Sequence, residues 1–190
     1  MGQFNYRILK ISNTEFDQIA KLVYDKAGIH LPQNKKNLVV SRLNKLINQL
    51  DFHSFDQYYQ YVTNDKTGEA LSDMIDQIST NHTYFFREER HFYFNDNVAL
   101  PRLFNELIKK NETTIRIWCA GCSTGEEVYS VCIRLHELLG KDISRWNFKI
   151  LATDISSAAL KKASMGFYTQ YEVDGIAKSI LSKYFSPTKV

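Results

Sequence analysis

The chain has 190 residues, 44% apolar, 24% charged and 13% aromatic, the composition of an ordinary globular protein and not of a disordered one. Eight Gly and three Pro exclude a collagen-like or linker-like polymer, and no apolar run approaches the roughly 20 residues that a bilayer crossing needs. A net charge of +3 is too small to argue for nucleic acid, and Met1 to Lys10 carry no secretory core, so a cytoplasmic protein is expected.

In chain order, Asn13 or Thr14 caps a first helix whose Phe16, Ile19, Ala20, Val23 and Ala27 follow helical spacing, with Gly28 as its stop. After Pro32 a second helix carries Leu38, Val39, Leu43, Leu46, Ile47 and Leu50 on one broad face and leaves Lys35, Lys36, Arg42 and Lys45 largely on the other. Residues 1–78 balance nine basic against nine acidic side chains, yet Lys21 to Leu50 holds six cations against Asp25, or +6 − 1 = +5. A solvated helix face explains such a cluster, and so does an acidic partner. Ser54 starts a third helix with the stripe Phe55, Tyr58, Tyr59 and Val62, and a fourth uses Leu71, Met74, Ile75 and Ile78. The first domain is therefore an all-α bundle over residues 1–78.

From residue 79 the pattern changes: a polar run from Ser79 to Thr83 meets Tyr84, Phe85, Phe86 and Arg87. Helical segments follow around Glu88 to Asn97 and from Pro101, at a helix start, to Lys110. Ile115 to Cys119 reads as a short buried strand, then a small-residue loop, then a helix with Val128, Val131, Cys132 and Leu135. Phe148 to Thr153 makes a second strand ending at Asp154, and Ser156 caps a helix running to about Met165 before Gly166. The order β-α-β-α implies a parallel sheet with a right-handed crossover, and a last helix spans about Ile176 to Phe185. The second domain, residues 79–190, is thus part of an α/β Rossmann-like fold.

Gly121 and Gly125 lie in the loop between strand and helix, where a ligand can approach the backbone, and Asp154 ends the next strand, where a carboxylate accepts from ribose hydroxyls. A dinucleotide is disfavoured, because G-x-G-x-x-G is missing and Glu126 and Glu127 stand where a pyrophosphate would sit. A ligand with a ribose and a cationic group but no phosphate suits the loop better, and S-adenosylmethionine has that description. The pair Cys119 and Cys122 has C-x-x-C spacing, but no second pair completes a zinc site. No metal is assigned.

Three runs then carry a resemblance. Ser79 to Arg87 (STNHTYFFR), Ile117 to Ser130 (IWCAGCSTGEEVYS) and Ala152 to Ser156 (ATDIS) closely resemble consecutive motifs of the CheR family, the chemotaxis receptor protein-glutamate O-methyltransferases. The resemblance implies transfer of a methyl group from S-adenosylmethionine to receptor glutamates, leaving S-adenosylhomocysteine. It also implies that Asn81, Thr83 and Arg87 reach the methionine end of the cofactor or the transfer region, with Arg87 the residue that matters most for catalysis. Gly121 offers backbone contact, Glu127 helps hold the amino group and Asp154 the ribose, while Glu126 is left as a solvated first-turn acid. His82 departs from the family's usual apolar residue and receives no role.

The implied partner is the cytoplasmic domain of a methyl-accepting chemotaxis receptor or a similar acidic helical protein, met by Lys35, Lys36, Arg42 and Lys45, with no nucleic acid and no membrane insertion. Asn44, Leu46 and Asn48 stand where more arginines would be expected, which thins that surface. The family's later motifs find no counterpart before Val190. The expectation is therefore a truncated form with little activity of its own and an exposed sheet edge able to pair with another chain. A non-catalytic module that keeps cofactor or receptor binding is the alternative.

Overall fold

The computed structural model describes residues 7–188. They divide into two compact units, one running up to Thr80 and including Ile155–Ser157, the other comprising Asn81–Asp154 and the residues from Ala158 onward. No helix among the described residues is long and apolar enough to cross a membrane.

The first unit is built from four helices: α1 (Asn13–Ala27), α2 (Lys36–Gln49, entered through a 3-10 turn at Gln33–Lys35), α3 (Phe55–Asn64) and α4 (Glu69–Ile78). The cap of α1 is Ser12, one residue before the expected pair, because Glu15 lies at the capping-box spacing from it. The Ser12 hydroxyl accepts from Glu15 N–H at 3.1 Å and Glu15 Oε2 accepts from Ser12 N–H at 2.8 Å. Ser54 caps α3 as read, accepting from Gln57 N–H. Helical spacing brings Phe16, Ile19 and Val23 of α1, Val39, Leu43 and Ile47 of α2, Phe55 and Tyr58 of α3, and Met74 of α4 into one fully buried core. Leu50, expected on that face, follows the last turn of α2 and is exposed.

The second unit opens with an irregular segment and a continuous helical run: α5 (Glu89–Phe94), a π turn at Asn95–Ala99, and α6 (Leu100–Lys109). Two helices were expected here. Pro101 has no N–H to donate, and the chain widens just before it, with Leu100 N–H reaching Asn95 O five residues back. Then follow β1 (Thr114–Ala120), α7 (Glu126–Leu139), a 3-10 turn (Gly140–Arg145), β2 (Asn147–Thr153), α8 (Ser157–Met165) and α9 (Lys178–Tyr184). β1 and β2 pair in parallel, with Trp118 opposite Leu151 and Ala120 opposite Thr153.

One face of this sheet packs Ile115, Ile117, Phe148 and Ile150 against Phe104 of α6 and Leu135 of α7. The opposite face carries Arg116, Trp118, Lys149 and Leu151, and Trp118 is 68% exposed. The strand is therefore buried on one side only. A run of bulky residues is dictated by burial on both faces of a parallel sheet, and among the described residues no layer lies over the second face.

Candidate active site

The parallel register delivers the loops after β1 and β2 to the same edge, the carboxyl ends of the strands, where open α/β sheets bind ligands. The two loops are tied together. Gly121 N–H and Cys122 N–H both donate to Thr153 O, at 2.8 and 2.9 Å, and Ser123 N–H donates to Asp154 Oδ2 at 2.7 Å. Gly121, Ser123 and Gly125 all take positive φ, of 81°, 49° and 98°, so the loop curls tightly before α7 begins. The two glycines differ in surroundings. A Cβ on Gly121 would meet nothing within 4 Å, whereas one on Gly125 would stand 2.8 Å from Tyr168 Oη and 3.1 Å from Ala163 Cα. Gly125 is thus a close-packing position, and Gly121 presents open backbone.

Adjacent acids separate sharply. Glu126, expected to be solvated, is buried at 2% exposure and accepts from Thr124 Oγ1 at 2.6 Å, while Glu127, a helical step further round, is exposed. Among the described residues no cation pairs with either. Asp154 and Glu127 make an anionic rim at the strand ends, with the buried Glu126 charge behind it, which suits an ammonium or sulfonium with ribose hydroxyls and opposes a phosphate. Tyr168, which the sequence did not single out, closes the loop from below: its hydroxyl donates to Thr124 O at 2.7 Å. Burial, reinforced by the Glu126 charge, pushes that hydroxyl well above the usual tyrosine range.

Asn81, Thr83 and Arg87 lie on the segment before α5. Phe85 is its anchor, buried with Val173 and Ile176 and edge-on to Tyr168 at 4.8 Å. Phe86 N–H donates to Ser130 Oγ at 2.9 Å, and Ser130 Oγ–H donates to Glu126 O at 2.6 Å, so the segment is pinned to the first turn of α7. Arg87 is exposed, and its guanidinium is oriented by donating to His82 O at 2.7 Å and by lying 5.9 Å from the Tyr84 ring centre. The structure therefore places Asn81, Thr83 and Arg87 on one short segment, Gly121 and Asp154 on the strand-end loops and Glu127 in the first turn of α7, within one unit.

In the helical unit the four cations are not equivalent. Lys35 and Lys45 are exposed, while Lys36 Nζ donates to Asn13 Oδ1 at 2.7 Å. Arg42 turns to the end of α4, donating to Ile78 O, to Ser79 O at 2.9 Å and to Thr80 Oγ1 at 3.0 Å. The first two are carbonyls of the kind that a helix C-terminus leaves without partners. Asn44 and Asn48 are buried and not part of the surface: their side-chain oxygens accept from Leu9 N–H and Arg7 N–H, and both amides donate to Arg7 O.

Cys119, Cys122 and Cys132 are free thiols. Burial, with the Glu127 charge adding to it, pushes Cys119 up to about 11, and burial also raises Cys122 and Cys132. This is the opposite of what a reactive thiolate or metal ligand requires.

An all-α unit followed by a parallel β-α-β unit, with acids at the strand ends and no phosphate-binding fingerprint, defines an α/β class that takes its ligand at the carboxyl ends of the strands. The family model of the CheR methyltransferase all-α domain matches residues 14–79, and that of the CheR methyltransferase SAM-binding domain matches residues 81–190. The chain belongs to the CheR methyltransferase family. It is 39% identical over 185 residues to a chemotaxis protein methyltransferase of Borreliella burgdorferi, covering 97% of this chain and 65% of that one. It is 32% identical over 177 residues to the chemotaxis protein methyltransferase of Escherichia coli, covering 93% and 58%, and 33% identical over 169 residues to a probable one of Rhizobium etli, covering 89% and 62%. The chain thus spans about 58 to 65% of the length of these relatives.

Proposed function

We propose that this chain forms the receptor-facing and cofactor-holding part of a protein-glutamate O-methyltransferase of chemotaxis. The observation that carries the reading is the strand-end loop, where open backbone at Gly121 adjoins the carboxylates of Asp154 and Glu127. When bound, S-adenosylmethionine supplies an electrophilic methyl group there. Asp154 would hold the ribose hydroxyls, Glu127 the amino group, and Asn81 and Thr83 the methionine end. Arg87 can meet a carboxylate, that of the cofactor or of the acceptor glutamate, through charge-assisted hydrogen bonds.

The acceptor needs no general base, because a glutamate with a pKa near about 4.3 is already ionised at neutral pH. The protein's task is alignment, with the carboxylate oxygen held in line with the bond that breaks, and this is where Arg87 contributes. Exclusion of water would strengthen the attraction between the anionic nucleophile and the cationic donor. The acidic, helical methylation region of a receptor would meet Lys35, Lys36 and Lys45 directly. Arg42 would support the same surface while holding the end of α4. The unpaired edges of the β1–β2 sheet offer a route to self-association.

Calorimetric titration tests the first step. S-adenosylmethionine and S-adenosylhomocysteine should bind saturably, Asp154→Ala should weaken both by at least about tenfold, and NAD should not bind. Tritiated-methyl transfer to receptor fragments, yielding a base-labile ester lost in Arg87→Ala, tests the second. Tight NAD binding, or a base-stable product, would overturn the reading, and cofactor binding without transfer would make the chain a binding module.

A further inference from the structure

α5, the turn before it and the 174–175 turn line a half-open cavity of about 470 Å³. The size is ordinary for a ligand-binding pocket. Phe85 and Phe92, at 6% and 9% exposure, form its floor, and the exposed rings of Tyr84 and Tyr93 stand on its rim. Two carboxylates, Glu89 and Asp174, complete the lining, and neither makes a side-chain hydrogen bond or ion pair among the described residues. The cavity also touches Arg134, but that charge is already consumed: Arg134 Nε donates to Asp96 Oδ2 at 2.6 Å. The lining therefore carries two free carboxylates over aromatic walls, against one guanidinium that Asp96 neutralises.

We propose that this cavity is a docking socket for an arginine side chain of a partner protein. Aromatic faces attract cations, and a flat guanidinium stacks on them while its fork donates to carboxylates, a combination that a compact ammonium matches less well. The Tyr84 ring already receives one guanidinium, that of Arg87. A first-turn acid accounts for Glu89 alone, but not for Asp174 on a separate turn facing the same aromatic floor. Occupancy would be felt at the proposed active site, because Tyr84 and Phe86 belong to the segment that carries Arg87.

The test is NMR titration of the whole chain with N-acetyl-arginine amide, its neutral isostere N-acetyl-citrulline amide, and spermidine. Arginine amide should give saturable shifts at Tyr84, Glu89 and Tyr93, at least about tenfold tighter than citrulline and weakening as salt rises from about 0.05 to 0.3 M. The pair Glu89→Gln and Asp174→Asn, both at exposed positions, should abolish that preference with spectral dispersion retained. Tyr93→Ala should weaken both ligands. Equal binding of citrulline, shifts that map elsewhere, or an unchanged preference in the double variant would overturn the socket. Spermidine binding tighter than arginine would overturn its assignment to a protein side chain.

Discussion

Gly125→Ala tests whether the loop beneath the candidate site is set by backbone conformation or by packing. At φ +98° an alanine is strained by about 1–2 kcal/mol. Its Cβ would also stand 3.0 Å from Ala163 Cβ and 3.1 Å from Ala163 Cα, so α8 must shift and cannot simply turn a side chain aside. Overpacking of this kind costs about 1–3 kcal/mol. Tyr168 Oη, 2.8 Å from the new methyl, can retreat only by giving up its bond to Thr124 O. The sum is a loss of about 2–5 kcal/mol. Gly121→Ala is the internal control: its φ of +81° carries similar strain, but its Cβ meets nothing, so the loss should stay near about 1–2 kcal/mol. Both tryptophans, Trp118 and Trp146, lie in the second unit, so urea unfolding followed by their fluorescence reads that unit alone. With m near about 2 kcal/mol/M, the extra loss of about 1–3 kcal/mol should lower the midpoint by about 0.5–1.5 M more in Gly125→Ala than in its control. Binding should rank the other way, Gly121→Ala losing S-adenosylmethionine while staying folded. Two variants equal in stability within about 0.5 kcal/mol would refute the packing argument.

Arg42→Ala should destabilise the helical unit by about 1–3 kcal/mol, because it strips charged donors from the end of α4. Lys35→Ala and Lys45→Ala should leave stability unchanged, and thermal melts of the three variants with hydrogen exchange at Ile78 to Thr80 separate these outcomes. The Lys162 ammonium beside Glu172, helped by the Thr169 N–H and hydroxyl, holds the Glu172 carboxyl below its ordinary range. Its contribution is fully present above about pH 4.3 and is lost as pH falls through the lower native value. The stability gap between the native chain and Glu172→Gln should therefore stay constant from about pH 7 to 5 and narrow as pH falls below about 4.3 in urea titrations.

The parallel pair and its crossover helix were legible because Ile115 to Cys119 and Phe148 to Thr153 are short β-rich runs bounded by turn residues, and α7 has clear helical spacing. Which side of β1 is covered was not legible, since Ile115, Ile117 and Cys119 alternate with the charged Arg116 and the bulky apolar Trp118, and that second face does not say whether a layer packs on it. Trp118 shows the difference. The separate fates of Glu126 and Glu127 depend on helix phase and on the Thr124 hydroxyl, neither of which two identical neighbours reveal. Arg42, Asn44 and Asn48 look like ordinary polar positions of an amphipathic helix. Their partners, at Ile78 to Thr80 and Arg7 to Leu9, lie more than 30 residues away in the chain, beyond the reach of local spacing.

The π turn between α5 and α6 also changes the phase of that helical run. Phe92 and Phe104 are both buried and lie twelve residues apart. In an unbroken α-helix, at about 100° per residue, they would point about 120° apart, while absorbing one extra residue in a wide turn reduces the offset to about 20°. Asn95–Ala99 thus works as a one-residue vernier, which keeps a single inward seam through a sequence whose spacing would otherwise rotate out of step. Deleting one residue there and straightening the helix would leave that seam aligned, whereas deleting one on either side would turn Phe92 or Phe104 towards solvent.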